Sequence, residues 1–443
     1  MDDSKLLSSI KITADSKREF HTNAGVRRLE IRPILIPILM LLLCLVPYKG
    51  GAQVSLLKVL TGGIGVLLSL SAVVAAFLSK NKVRGQLLFL AFIIMTLANV
   101  IVALANNVAF SWWIKIAYGS YIFTAMIFTV SYYARTPNQR HNLWMWLVII
   151  LTLASFVDYL FAASTTGIGE AWEERSIGGS PWPIMAAMML LPALGKILFK
   201  SPWLSAGFFS NVVLMILSSS RIAFMILGMG ILYTIFFVVK GFGKRSLYLI
   251  FFIVMGLILI ATPIYDRMYY RFSVASEDRS VIQRLDQALS AASNVTNSFP
   301  AFLFGRGYGV AWKNYPGAYF RSLTDNHGLS RMTPGRIGTQ SPHNDYACRL
   351  LYCGLTGLIL QLSIFFTFGY MFWSAIRTFV RDNADRYTQI RIHGALLVLL
   401  YMAAFGFTGG NFYYWTNNIF QGCVLGLGLS DATEILSNTK NVA

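Results

Sequence analysis

The stretch that decides the fold is residues 84–105, RGQLLFLAFIIMTLANVIVALA. After the first two residues it carries no charged side chain, and most of its residues are large and apolar. A helix of about 20 such residues is long enough to cross the hydrocarbon core of a bilayer. A helix also satisfies its own backbone hydrogen bonds, which lipid cannot do. The stretch therefore predicts a membrane-spanning helix.

Similar stretches recur along the whole chain and predict an all-α, polytopic membrane protein with about twelve transmembrane helices. The chain of 443 residues is 56% hydrophobic and only 13% charged, which excludes both an ordinary soluble protein and a disordered one. A polar segment precedes the first span, and there is no small-residue cleavage site. We therefore interpret the first span as a retained helix and not as a signal peptide. The predicted spans lie near residues 32–48, 53–79, 84–105, 110–134, 142–164, 182–199, 203–219, 222–239, 246–264, 344–376, 392–408 and 412–430.

The charge is unbalanced, with 37 Lys and Arg against 19 Asp and Glu. In a soluble protein this excess would suggest nucleic-acid binding. If the N-terminus is cytoplasmic, however, fourteen of the cations fall in short inner loops, and five lie outside the membrane before the longest loop. This distribution follows the positive-inside rule. We therefore expect no nucleic acid as partner, and we predict that both termini are cytoplasmic.

The predicted organisation has five parts. They are a cytoplasmic tail (1–31), transmembrane helices 1–9 (32–264), a large periplasmic loop (265–342), transmembrane helices 10–12 (343–430) and a second cytoplasmic tail (431–443). The large loop holds nine Lys and Arg but five acids. Such a basic segment fits either anionic lipid headgroups or an anion-binding site.

Several chemistries find no support in the sequence. The four cysteines all fall in apolar spans, so no disulfide framework is indicated. No spacing of Cys, His or acids suggests a metal, and no phosphate-binding glycine motif follows a predicted strand. The glycine-rich turn Gly305-Arg-Gly-Tyr-Gly309 is more typical of a structural turn than of a phosphate cradle. We therefore predict no metal and no cofactor.

The first candidate site is Ser218-Ser-Ser-Arg221, a tight turn between two apolar helices on the predicted outer face. Hydroxyl groups such as that of Ser220 and one Arg can hold a phosphate by charge-assisted hydrogen bonds. The alternative is that Arg221 reaches toward lipid headgroups.

The second candidate is the stretch from Arg279 to Leu289 in the large loop, which has the period of an amphipathic helix. Arg284 falls close to the apolar face of this helix, where an unpaired Arg is unusual. It could bind an anionic substrate or pair with an acid such as Asp286.

The third candidate is Ser341-Pro-His-Asn-Asp-Tyr346, at the start of the tenth predicted span. Pro342 suits the first turn of a helix. His343 would then lie in that turn, where a neutral imidazole could act as a general base. Asn344 is a further candidate for substrate binding. Asp345 and Arg349 have the i,i+4 spacing of an ion pair.

With these motifs the chain resembles the O-antigen ligase/polymerase family of bacterial membrane glycosyltransferases. The resemblance covers roughly residues 205–430. It rests on Ser219-Ser-Arg221, on Arg284-Leu285 followed by Pro300 and by Phe304 to Gly309, and on Pro342-His-Asn-Asp-Tyr346 with Gly354 and Gly357 downstream.

The resemblance implies a GT-C-like helical glycosyltransferase of the bacterial inner membrane, with an undecaprenyl-diphosphate-linked glycan as donor. Arg221 and Arg284 would bind the diphosphate, with Arg279 as an alternative to Arg284. His343 would activate the acceptor hydroxyl, and transfer would invert the anomeric centre without a metal. Ser220, Asn344, Asp345 and Arg349 would help to bind diphosphate or acceptor. Partner proteins would be a flippase and a chain-length regulator.

Two acceptors fit this chemistry. A polymerase adds the growing O-antigen or exopolysaccharide to the next lipid-linked repeat unit, whereas a ligase transfers the finished glycan to the lipid A core. The single large outer loop favours a ligase, whereas Arg349 and the long cytoplasmic tail slightly favour a polymerase. A polysaccharide transporter or flippase is the alternative from another functional class, and a non-catalytic component of an envelope complex is a further one.

Overall fold

The computed structural model of the protein describes most of the helical part of the chain. The described residues are 34–45, 85–166, 182–194, 197–218, 221–260, 279–310, 312–313, 337–338, 344–379, 385–407 and 415–442, with isolated positions between 63 and 78. Within these ranges the protein is overwhelmingly α-helical, as the sequence predicts.

We number the helices in chain order. They are α1 (Leu35–Leu42), α2 (Gln86–Ala105), α3 (Phe110–Tyr133), α4 (Pro137–Thr166), α5 (Trp182–Leu190), α6 (Pro202–Ser218), α7 (Arg221–Tyr233), α8 (Phe242–Ile260), α9 (Arg279–Thr296), α10 (Phe299–Phe304), α11 (Asp345–Thr378), α12 (Arg386–Gly406) and α13 (Trp415–Val442). Two very short strands, β1 (Trp312–Lys313) and β2 (Ile337–Gly338), pair antiparallel.

Six of the described helices are long and apolar enough to cross a membrane: α2, α3, α4, α11, α12 and α13. Shorter apolar helices include α1, α5, α6 and α7. In α5 the α-helix gives way to a 3₁₀ turn, Leu191–Ala193, which contains Pro192. The prediction of a polytopic helical protein is thus supported. The number of about twelve spans stays a prediction, and most of the second predicted span, 53–79, lies outside the described residues.

The last helix extends beyond the predicted end of the twelfth span at residue 430. Helix α13 continues without a break to Val442. An ion cluster around the buried Asp431 holds the first turn beyond residue 430. Asp431 accepts hydrogen bonds from Arg140 Nε at 2.6 Å and from Arg391 Nε at 2.5 Å, and Glu434 also pairs with Arg140. These ion pairs join one turn of α13 to α4 and α12. Residues 431–435, at the start of the predicted tail, therefore pack within the helix bundle, and the cytoplasmic location of the tail stays a prediction.

Helix α13 forms the centre of the bundle because glycines allow its neighbours to approach closely. A Cβ atom at Gly422 would lie 2.5 Å from the Phe123 carbonyl oxygen of α3, and one at Gly426 would lie 3.2 Å from the Ile127 Cα. Small residues spaced four positions apart in the sequence often allow two membrane helices to pack closely. The core formed in this way supports the helices that carry the candidate site.

Candidate functional site

The first candidate, Arg221, lies at the predicted turn between two apolar helices. Helix α6 ends at Ser218 and α7 begins at Arg221. Only two residues, 219 and 220, separate the two helices in sequence, and they lie outside the described residues. Ser220 and the side chain of Arg221 lie outside the described residues.

The second candidate region forms a helix, as the sequence predicts, although Leu289 of the predicted apolar face is 56% exposed. Helix α9 begins at Arg279 and includes Arg284. Its described second half buries Ala291 and Val295 against the core. The side chains of Arg279 and Arg284 lie outside the described residues, so the choice between these two arginines stays open.

The third candidate region begins its helix later than predicted. Asn344 is the N-cap of α11, and its Oδ1 accepts a hydrogen bond from the Ala347 backbone N–H at 2.9 Å. The first helical residue is therefore Asp345, and the prediction that Pro342 and His343 lie in the first turn is wrong. The physical reason is that an Asn side chain satisfies an otherwise unpaired N–H group at a helix start. His343 immediately precedes this cap and lies outside the described residues.

Asn344 also fixes the position of the α11 N-terminus relative to α12. Its Nδ2 donates a hydrogen bond to the Phe407 carbonyl oxygen at 3.2 Å, just after α12 ends. Asp345 is buried, with 2% of its surface exposed. An acidic residue in the first turn of a helix is stabilised by the helix dipole. The segment next to His343 is thus held by two contacts from one Asn side chain.

Arg349 is fully buried and makes hydrogen bonds inside the protein. Its Nε donates to Gln361 Oε1 at 2.8 Å, and its Nη2 donates to Ser120 Oγ at 2.9 Å. Its Nη1 donates to the Tyr308 hydroxyl. The guanidinium carbon also lies 4.8 Å from the centre of the Phe92 ring, a cation–π distance. The predicted contact of Arg349 with substrate would require the guanidinium to leave this network.

Tyr308 keeps its proton in this environment. Burial raises the pKa of its phenol above the ordinary value, and the neighbouring Arg349 guanidinium offsets part of that rise. A neutral phenol can accept from Arg349 and donate to Ser120 Oγ, which is 3.4 Å away. The network therefore links the loop residue Tyr308 to α3 and α11.

The glycine-rich turn is structural, in agreement with the interpretation from the sequence. Gly305, Gly307 and Gly309 all have positive φ angles, which glycine adopts at little cost. A Cβ atom at Gly305 would overlap the backbone of Tyr352 in α11, and one at Gly307 would overlap Ala103 in α2. The turn therefore lies between two membrane helices, and we call residues Gly305–Gly309 the glycine wedge.

Backbone hydrogen bonds hold the wedge in place. The Arg306 N–H donates to the Leu351 carbonyl at 2.9 Å, and the Gly307 N–H donates to the Tyr352 carbonyl at 3.0 Å. These carbonyls are free to accept because α11 is kinked at Gly354, where φ is +66°. The kink thus creates the docking position for the loop.

The structure also identifies residues that the sequence did not single out. Asn99 of α2 accepts a hydrogen bond from the Tyr308 N–H at 2.8 Å and donates to the Tyr352 carbonyl at 2.8 Å. Ser120 and Gln361 complete the Arg349 network. These residues could have been found in the sequence as polar side chains within otherwise apolar spans. Such side chains are energetically unfavourable in a membrane and usually serve structure or function. Within the described ranges, no three His, Cys, Asp or Glu side chains cluster in a way that could hold a metal ion.

Comparison with known proteins finds a similarity in this region. A search of curated proteins finds no match to the chain. Residues 206–362, which run from α6 through the large loop to the middle of α11, match the family model described as O-Antigen ligase. This segment carries the turn at Arg221, helix α9, the glycine wedge and the His343–Asn344 pair. This part of the chain is therefore similar to the O-antigen ligase family.

Proposed function

We propose that the protein is an inner-membrane glycosyltransferase that moves an undecaprenyl-diphosphate-linked glycan to an acceptor hydroxyl on the periplasmic face. The observation that carries the proposal is the family match over residues 206–362, because this one segment contains Arg221, Arg284 and His343. Its charge also fits, since an excess of cations in the loop suits a diphosphate substrate.

The proposed reaction needs a base and a leaving-group site. His343 removes the proton from the acceptor hydroxyl, and the oxygen attacks the anomeric carbon of the donor sugar. The bond between that carbon and the diphosphate oxygen breaks, with inversion of configuration. Arg221 and Arg284 stabilise the negative charge that develops on the departing undecaprenyl diphosphate. In this scheme, which needs no metal, Ser220 adds a hydrogen bond to the diphosphate.

The period of α9 favours Arg284 over Arg279 as the loop arginine of the site. Positions 284, 288, 291 and 295 are spaced by three or four residues, so they share one face of the helix. Ala291 and Val295 are buried on that face. Position 279 is five residues from 284, which is well away from that face at about 100° per residue. We therefore propose Arg284 as the loop arginine of the site, with Arg279 as the alternative.

Around His343, we propose that Asn344 and Asp345 act on the acceptor side and also order the base. The cap at Asn344 supports this role, because it fixes the backbone next to the imidazole. A helix N-terminus also disfavours protonation of a nearby His, which keeps it available as a base.

Polymerisation of O-antigen or exopolysaccharide repeat units is the first form of the proposal. An acceptor that itself carries a diphosphate would account for additional cations in the loop. Ligation to the lipid A core is the second form, favoured by the description of the matching family model as O-Antigen ligase. The two differ only in the acceptor.

The glycan profile of a deletion strain separates the two forms. Loss of a polymerase leaves single repeat units on the acceptor, whereas loss of a ligase leaves full-length chains on the carrier lipid. A transporter would instead move a labelled lipid-linked glycan across proteoliposomes without forming a glycosidic bond. That last result would overturn the proposed enzyme.

A further inference from the structure

A cleft of about 550 Å³ with both polar and apolar walls opens beside the glycine wedge, between the end of α2 and the α9–α10 junction. Its walls include the end of α2 at Ala105 and Asn106, the end of α9 at Asn294, and Arg306 of the wedge. In the predicted topology, the end of α2 is at the outer membrane boundary. The cleft therefore lies on the face where the proposed transfer takes place.

The lining combines amides, one cation and one aromatic ring. Asn106, Asn294 and Asn297 supply amide groups. Asn106 Nδ2 donates to the Val102 carbonyl and the buried Asn294 donates to the Ser290 carbonyl, so Asn297 is the exposed amide of the three. Arg306 is half-buried and donates from Nη1 to Asn294 Oδ1 at 3.4 Å. Phe304 is 55% exposed at the same cleft. Sugars present both hydroxyl groups and apolar C–H faces, so this mixture of amides and an aromatic ring suits them.

The cleft is linked through α11 to Asn344, the residue that follows the proposed base in the chain. Arg306 is bonded through its backbone to Leu351, which is seven residues after Asn344 in α11. At 1.5 Å per residue this separation is about 10 Å along the helix. Helix α9 runs from the proposed diphosphate-binding arginines at its start to Asn294 near its end. A glycan that extends away from the diphosphate could follow this helix into the cleft.

We propose that the cleft binds sugars of the lipid-linked glycan that lie several units away from the bond being formed. This proposal rests on the proposed glycosyltransferase function and assigns its glycan subsite. The lining is more consistent with neutral or weakly anionic sugars than with a phosphate, because it contains one Arg among several uncharged amides. The cleft thereby contributes to the choice of repeat unit.

Binding of a lipid-free glycan tests the subsite apart from catalysis. The probe is the repeat-unit oligosaccharide that mild acid releases from the carrier lipid of a strain expressing the protein. Its affinity is measured for the full-length protein in detergent by calorimetry. We expect saturable binding that Ala105→Trp, which fills the cleft, weakens at least tenfold. The matched control is Leu104→Trp, which places the same ring on an exposed neighbour outside the lining.

A second pair of variants removes polar groups without adding bulk. Asn297→Ala deletes an exposed cleft amide, and Thr296→Ala changes the exposed residue next to it. Only Asn297→Ala should weaken binding of the oligosaccharide. In transfer assays the same variant should raise KM for the lipid-linked glycan and leave kcat within about twofold.

The outcomes distinguish the subsite from the reaction. One outcome is that the oligosaccharide binds, the cleft variants lower its affinity and no glycan transfer is detected. This result would support the subsite and contradict the proposed glycosyltransferase activity. If wild-type protein does not bind the oligosaccharide, or if Ala105→Trp and Leu104→Trp bind it equally well, the proposed subsite is wrong. Displacement of the oligosaccharide by anionic phospholipid headgroups alone would also overturn it, since the cleft would then be a lipid site.

Discussion

At the scale of single residues, Arg349 is a buried cation whose hydrogen bonds join several elements of the protein. Its three guanidinium nitrogens reach Gln361, Tyr308 and Ser120, and no part of it is exposed. Because these partners come from different parts of the chain, one side chain connects α3, α11 and the large loop. We therefore expect the loss of Arg349 to loosen the loop next to His343.

Substitution of this residue should lower stability. Arg349→Met preserves much of the length of the side chain but leaves the buried Tyr308 and Gln361 side chains without their donor. A buried group left unsatisfied costs roughly 1–3 kcal/mol, so the melting temperature in detergent should fall by several degrees. Arg386→Met, at an exposed helix start, is the control and should be neutral. Equal melting temperatures for both variants would show that the network adds nothing.

At the scale of elements, the kink in α11 and the glycine wedge form one unit. Gly354 and Gly305 both have positive φ angles, and their backbones lie in contact. The kink frees the Leu351 and Tyr352 carbonyls, which the wedge then uses as acceptors. Each feature depends on the other. In a straight helix the Leu351 and Tyr352 carbonyls would accept hydrogen bonds from within α11, so they could not accept them from the wedge.

A methyl group at the kink should disrupt this unit. Gly354→Ala adds a Cβ that would overlap the Leu303 carbonyl and also strains a left-handed backbone. We expect a strong loss of folded protein, measured as the monodisperse fraction after size-exclusion chromatography. Gly228→Ala in α7 is the matched control, since a Cβ there has open space within 4 Å. Normal yield of Gly354→Ala would contradict the proposed coupling of kink and wedge.

At the scale of the whole molecule, opposite ends of the bundle carry different chemistry. The buried cluster of Arg140, Arg391 and Asp431 marks one end, and the wedge and cleft mark the other. Both arginines were assigned to inner loops by the positive-inside rule, and the fold brings them together. Their proximity shows that these two segments and Asp431 lie at the same end of the bundle, and the cytoplasmic location of this end stays a prediction.

Cysteine labelling tests this orientation. The native cysteines are all buried, so their background labelling should be low. Asn107→Cys, just beyond α2, and Asn138→Cys, at the start of α4, are exposed and lie at opposite ends of the predicted topology. In intact spheroplasts an impermeant maleimide should label only Asn107→Cys. Labelling of Asn138→Cys instead would invert the topology.

The sequence predicts local features better than long-range ones. Apolar length predicted the helices, and amphipathic period predicted α9, because both depend on neighbouring residues. The N-cap at Asn344 was missed by placing Pro342 in the first turn, although Asn is itself a strong capping residue. The contact between Asn99 and Tyr308 joins residues 209 positions apart. Single-sequence reasoning can mark such a polar residue in a span as unusual, but its partner depends on how the helices pack.

The central claim is most directly tested by glycan transfer with purified protein and a lipid-linked repeat unit, with and without the lipid A core. Wild-type protein should form a new glycosidic bond and release undecaprenyl diphosphate. His343→Ala should lower the rate at least about 100-fold, the scale of general-base catalysis, and still bind the donor. Arg221→Ala should weaken donor binding and turnover together. Wild-type transfer by His343→Ala, or no product from wild-type protein with either acceptor, would contradict the account.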